Sequence, residues 1–186
     1  MVIPLKEIIK LQTVDIDKYN FLIEKIYNFN SQNEDVQSFL VNKAIDFENR
    51  NKACSFLYFN NSGELLGYFT LCVKNLLFAE NVKGTTKHKI DGFRKDADSA
   101  VVYLIGQLGR DSRYSEKGFG YQLLNSAMEY LFIAQDIVGG RYCLVETENS
   151  ESNAKVVKFY TDYGFNILQV DKSDNYKQLV MKMESN

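Results

Sequence analysis

Tyr103-Leu-Ile-Gly-Gln-Leu-Gly-Arg-Asp-Ser-Arg-Tyr-Ser-Glu-Lys-Gly-Phe-Gly-Tyr-Gln-Leu-Leu124 passes from an apolar strand, Val101 to Leu108, through a polar turn into a helix. Leu123, Leu124, Ala127, Met128, Leu131 and Phe132 recur at helical spacing, and Asn125, Ser126 and Glu129 fall on the opposite side. The first N–H groups of a helix have no internal partners, and the helix dipole adds positive potential at that end. Gly118 and Gly120 stand just before it and would let an anion approach the backbone. The pair is neither a dinucleotide fingerprint, which needs a third glycine, nor a P-loop, which needs a following Gly-Lys-Ser/Thr.

The 186 residues suit one domain, 1–186, with a sizeable core. Hydrophobic residues at 45% and charged residues at 25% are the balance of a soluble globular protein. A net charge of −2 supplies no global field toward nucleic acid or membrane. Cys54, Cys72 and Cys143 are far apart, lie in apolar runs and are expected to be buried, reduced thiols. His88, the single histidine, has no evident triad partner and reads as a surface loop residue. No metal cluster, signal peptide or membrane-length apolar run is found, so the expected compartment is the cytoplasm.

Outward from the central stretch, Gly139-Gly140 closes the helix and Tyr142 to Thr147 forms the next strand. Ser150 or Ser152 would cap a helix that runs to Tyr163 and stops at Gly164. Phe165 to Val170 and Tyr176 to Met183 end the chain as two strands. Toward the N-terminus, Ala53 to Phe59 and Leu65 to Val73 flank Asn60-Asn-Ser-Gly63 as a hairpin. Gly67 within the return strand marks a bulge or a close approach. A first strand is placed near Ile8–Leu11, followed by helices over Asp17–Tyr27 and from a Ser31/Glu34 capping box to about Asn49. Phe78 to Ser99 reads as a long loop; its cations Lys83, Lys87, Lys89, Arg94 and Lys95 would suit phosphate or RNA. Glu80, Asp96 and Asp98 largely cancel them, so a solvated loop is the reading adopted. Helices that follow strands in the second half imply parallel pairing there, hence a mixed α/β sheet.

Two blocks resemble the GNAT acetyltransferase superfamily. Around Ser115-Glu-Lys-Gly118-Phe-Gly120 the chain is similar to the family's Gln/Arg-x-x-Gly-x-Gly/Ala loop, with Ser115 and Glu116 as departures. Asn153-Ala-Lys-Val-Val-Lys-Phe-Tyr160-Thr-Asp-Tyr-Gly164-Phe165 is similar to its second block, with Val156 in place of a small residue. The likeness runs well from Leu65 to the C-terminus and only loosely before it. It implies a GNAT sheet, splayed around an acyl-CoA cleft and flanked by helices, with acetyl-CoA as donor and an amine as direct acceptor. Backbone of Leu108, Gly109 and Arg110 would pair with the pantetheine arm. Amides of Ser115, Glu116, Lys117, Gly118, Phe119 and Gly120 would hold the pyrophosphate, and Asn153 would contact the cofactor. Tyr160 would protonate or hydrogen-bond the leaving thiolate.

The strand from Ala100 to Gly109 carries no carboxylate, so Glu146 on the next strand is the candidate base. A missing base leans toward an α-amine, whose pKa near 8 needs less help than a lysine's near 10.4. Ile105 to Gly120 also resembles the toxin subgroup of the superfamily, which acetylates the α-amine of aminoacyl-tRNA; tRNA, an antitoxin partner and a homodimer are what that likeness implies. The acidic balance and Arg110, Ser115 and Glu116 depart from the subgroup's pattern. A non-catalytic CoA-binding or interaction module is the rival of another class.

Overall fold

The structure, a computed structural model, describes residues 1–114, 116–171 and 173–184. Its elements are β1 (Val2–Pro4), α1 (Leu5–Val14), α2 (Ile16–Tyr27), α3 (Glu34–Asn42), α4 (Ala44–Asn49), β2 (Cys54–Phe59), β3 (Leu65–Leu77), α5 (Gly84–Asp91), β4 (Ser99–Arg110), α6 (Phe119–Val138), β5 (Tyr142–Glu148), a 3-10 turn (Glu151–Asn153), α7 (Ala154–Tyr163), β6 (Asn166–Asp171) and β7 (Tyr176–Lys182). The strands form a seven-stranded mixed sheet in the order β1-β2-β3-β4-β5-β7-β6. The chain divides into two compact units, one of Met1–Cys72 with Gly106–Glu129, the other of Val73–Ile105 with Tyr130–Asn186.

In the first unit, Leu5 and Ile8 of α1, Leu22, Ile23 and Ile26 of α2, Leu40 and Ala44 close on Leu57, Phe59, Leu65 and Tyr68 of the β2–β3 hairpin. Each large side chain removed from water there contributes about 1.5–3 kcal/mol before entropy is counted. The strand expected near Ile8–Leu11 is helical instead. Leu5 and Ile8 are three residues apart and fully buried, a helical repeat, while Val2–Pro4 supplies the strand and pairs antiparallel with Phe56–Tyr58. The expected Ser31/Glu34 capping box is also replaced: Asn33 is the cap, its Oδ1 accepting from the N–H groups of Asp35 and Val36 at 3.0 and 3.2 Å. The second helix is broken at Lys43 into α3 and α4.

The hairpin forms where expected, and the bulge lies next to Gly67. Tyr58 pairs with Gly67 and Phe59 with Leu65, so Leu66 is the additional residue. Gly67 is also a close approach: a Cβ built on it would lie 2.7 Å from the Gly109 carbonyl oxygen and 3.3 Å from Arg110 Cα.

In the second unit, β4 pairs in parallel with β5 through Tyr103↔Cys143, Leu104↔Leu144 and Ile105↔Val145, as the helix-after-strand order requires. β5 pairs antiparallel with β7 and β7 with β6. Leu76, Ile90, Ala100, Val102, Tyr142, Leu144 and Val180 form the core of one sheet face. The expected loop from Phe78 to Ser99 holds α5, which buries Ile90 and ends at Gly92. A single buried apolar residue leaves no helical periodicity to read, which is why sequence pattern missed it.

Candidate functional site

In the first unit, β4 ends with Leu108 half-buried, Gly109 buried and Arg110 exposed. The chain then turns on Asp111, which is fully buried. Its N–H donates to the carbonyl of the bulge residue Leu66 at 2.8 Å. Its carboxylate accepts from the Asn30 N–H at 3.0 Å and from the Arg113 N–H at 2.9 Å. Arg113 Nε and Nη2 add charged contacts at 2.8 and 2.6 Å, and Nη2 also donates to the Asn28 carbonyl. Burial opposes the charge on Asp111, but the Arg113 guanidinium and the two backbone N–H groups outweigh it and hold the carboxyl below its usual range. Ser112 N–H closes the junction on the Asn30 carbonyl at 2.7 Å. The turn before the glycine loop is thus fastened to the segment that follows α2.

Of the anion-loop residues, Ser115 lies outside the described residues. Glu116, Lys117 and Gly118 are exposed, Phe119 is buried and Gly120 half-buried at the start of α6. The Glu116 carbonyl accepts from the Phe119 N–H at 3.3 Å, and the Gly118 carbonyl accepts from Tyr121 and Gln122. Gly118 has φ +87°, and a Cβ built on it would meet nothing within 4 Å. A left-handed residue with open space on its outer side leaves room for a ligand over the loop. The first turn of α6 carries no acidic residue to oppose an anion.

The second unit holds Tyr160 and Glu146. Tyr160 lies on α7, is 8% exposed, and is packed edge-on against Phe159 and Phe165 at 5.1 and 5.6 Å between ring centres. Among the described residues, no group hydrogen-bonds its hydroxyl. Burial, with a smaller contribution from Cys143, pushes its pKa well above the ordinary phenol value. The hydroxyl is therefore a neutral donor, suited to giving a hydrogen bond more than a proton.

Glu146 follows Val145, the last β5 residue in the parallel register with β4. Strand alternation puts it on the face of Tyr142 and Leu144, opposite Cys143. Its side chain is 17% exposed and is gripped by Lys74 Nζ, 2.7 Å from each carboxylate oxygen. Gln178 Nε2 donates to the same Oε1 at 2.7 Å. Gln169 Nε2 donates to Gln178 Oε1 at 2.6 Å and to the Leu77 carbonyl at 2.7 Å, and Gln169 Oε1 accepts from the Ala79 N–H at 2.9 Å. A polar row, Lys74–Glu146–Gln178–Gln169, thus borders the apolar face. Gln169 is also part of the lining of a cavity of about 870 Å³ with Leu77, Phe78, Asn149 and Asp171.

Sequence reasoning missed Lys74, Gln169, Gln178 and the Asp111–Arg113 pair. A signal existed for Lys74: alternation along Leu71-Cys-Val-Lys-Asn-Leu76 puts it on the buried side of Leu76, where a lysine needs an acid. Asn153 is half-buried and directed into its own turn, donating to the Glu148 carbonyl and Ser150 Oγ at 3.3 and 3.2 Å. The expectation of three buried thiols is corrected. Cys143 is buried, but Cys72 is half-buried and Cys54, at the open end of β2, is exposed. His88 is exposed on α5, not in a loop. No helix among the described residues is long and apolar enough to cross a membrane.

The sequence matches no family model and no curated protein. Solved structures do match. A bacterial toxin is 16% identical with TM-score 0.67, covering 84% of this chain and 82% of its own. AtaT complexed with acetyl-methionyl-tRNAfMet is 22% identical with TM-score 0.66, covering 84% and 86%. A tyrosine-to-phenylalanine mutant of the AtaT toxin, bound to the C-terminus of the antitoxin AtaR and acetyl-CoA, is 22% identical with TM-score 0.62, covering 84% of each chain. The seven-stranded mixed sheet and these likenesses together give this chain the GNAT fold.

Proposed function

We propose that the chain is an acetyl-CoA-dependent N-acetyltransferase. The observation that carries this reading is the likeness over 84% of the chain to a toxin solved with acetyl-CoA. Local chemistry supports it. The open, left-handed Gly118 before α6 suits a pyrophosphate, with amides of Glu116 to Gly120 as its donors and the end of β4 at Leu108, Gly109 and Arg110 as the partner of the pantetheine arm. The hydroxyl of Tyr160, a donor without a partner among the described residues, suits a thiolate.

In this reading a neutral amine attacks the thioester carbon, the new N–C bond forms and the C–S bond breaks. Tyr160 donates a hydrogen bond to the departing thiolate, which takes its proton from solvent; the phenol's raised pKa disfavours full transfer. The proton leaving nitrogen is received at Glu146 and passed to solvent, so acids and bases return to their starting states. No covalent enzyme intermediate is needed.

A second reading names the acceptor as the α-amine of an aminoacyl-tRNA. It is favoured by the likeness to AtaT in complex with acetyl-methionyl-tRNAfMet. An α-ammonium with a pKa near 8 is partly neutral at physiological pH and needs only a weak base. An antitoxin partner belongs to the same reading, through the AtaT–AtaR complex. The test supplies labelled acetyl-CoA together with charged tRNA, free amino acids, polyamines and protein. Label that travels with tRNA and is released by mild alkali supports the second reading. Label in another amine removes it and keeps the first. No transfer to any amine, with acetyl-CoA bound, leaves the CoA-binding module.

A further inference from the structure

We propose that Lys74 and Gln178 are positioning residues that present a single lone pair of Glu146, on Oε2, to the acceptor amine; this rests on the acetyl-transfer reading above. The backbone at residues 77–79 has a polarity with no alternative. The Ala79 N–H can only donate and the Leu77 carbonyl can only accept, so the Gln169 amide has one orientation, Oε1 to Ala79 and Nε2 to Leu77. The remaining Nε2 hydrogen of Gln169 points at Gln178 and fixes that amide with its oxygen inward. Gln178 must then donate, and it donates to Glu146 Oε1. A donor on that side requires an acceptor, which an ionised carboxylate supplies. Lys74 completes the arrangement by donating to both oxygens.

A carboxylate offers about four lone-pair sites. Oε1 uses two, for Lys74 and Gln178, and Oε2 uses one, for Lys74. Among the described residues, one site remains, on Oε2. Lys74 therefore does two things for Glu146: it balances a mostly buried negative charge and, among the described residues, it leaves the carboxylate a single direction of approach. The bulge in β6 serves the same end, because the extra residue Leu168 brings Gln169 opposite Gln178. Neither Lys74 nor Gln178 needs to touch the substrate; both act through Glu146.

The test is steady-state acetyl transfer by the full chain, monitored as free CoA thiol, with both substrates varied, for wild type, E146Q, K74M, K74R, Q178L and the K74M/E146Q pair. Acetyl-CoA affinity by calorimetry and thermal melting run alongside. The expectation is a kcat ten- to a hundredfold lower for K74M and Q178L, with unchanged acetyl-CoA affinity, recovery to within a few-fold in K74R, and no further loss when K74M is added to E146Q. A merely structural lysine would lower melting temperature and acetyl-CoA affinity with kcat, and its loss would add to that of E146Q. Full kcat in folded K74M, or additive losses, overturns the proposal while leaving acetyl transfer standing. Failure of wild type to transfer to any amine overturns the underlying reading and this one with it.

Discussion

Arg113 holds the fully buried carboxylate of Asp111 from two residues away, with Nε 2.8 Å from Oδ1 and Nη2 2.6 Å from Oδ2. The short sequence separation makes the pair a local turn, and the Asn30 N–H makes it a long-range one. Removing the arginine would strand a buried charge; removing the carboxylate would strand the donors around it. Asp111→Ala is expected to cost about 3 kcal/mol, the low end for a buried pair because the Arg113 side chain is half exposed. Urea denaturation of both proteins at neutral pH measures it, and a loss under 1 kcal/mol would contradict the assignment.

The same carboxyl makes a pH prediction. Its folded pKa lies below the unfolded one, near 3.9, so the folded state binds its proton less readily than the unfolded chain. The stabilisation is complete above about pH 5 and falls away as pH drops through the unfolded value toward the lower folded one. The stability gap between wild type and Asp111→Asn should be flat from pH 5 to 8 and narrow below pH 4. A gap that widens on acidification would reverse the sign of the shift.

Tyr160→Phe separates activity from stability. No hydrogen bond is lost among the described residues, so melting should change by no more than a degree or two, in either direction. Acetyl transfer should fall by about 10² to 10³, with acetyl-CoA still bound. Equal losses in folding and activity would make Tyr160 a packing residue only.

Gly67→Ala should destabilise by about 1–3 kcal/mol, because the new methyl would meet the Gly109 carbonyl and the Arg110 Cα, which are backbone and cannot swing aside. Chemical denaturation checks it.

Gly118→Ala is the complementary case. Nothing stands within 4 Å of the added carbon, so the cost is the left-handed φ alone, about 1 kcal/mol. Acetyl-CoA affinity is expected to fall by more than stability does, since the methyl would occupy the open side of the loop. Calorimetry of acetyl-CoA binding beside thermal melting separates the two effects.

The second half of the chain was legible because its signals are local. Gly164 accompanies the end of α7, and strand–helix alternation implied the parallel pairing that β4 and β5 make. The N-terminal third was less so. Leu5, Ile8, Ile9 and Leu11 fit a helix as well as a short strand, and only packing against α2 and β2 decides between them. Asn33 displaced Ser31 as a cap because the helix begins two residues later than a Ser-x-x-Glu box requires. The polar row as a whole could not be read, even though Glu146 and Lys74 each left a local signal, since Lys74, Glu146, Gln169 and Gln178 come from four strands and meet only through sheet order and the Leu168 bulge.

An amide has a head and a tail, and two of them in series make that row an arrow. Its direction is written at residues 77–79 and read at Glu146. Exchanging either glutamine for glutamate would replace a donor by an acceptor, and the row could be restored only by taking up a proton. A chain that kept every apolar contact of this face could therefore lose its carboxylate geometry through one nitrogen-for-oxygen exchange two links away. Conversely, transplanting this chemistry to another sheet requires the backbone segment that sets the arrow as much as the lysine and glutamate at its tip.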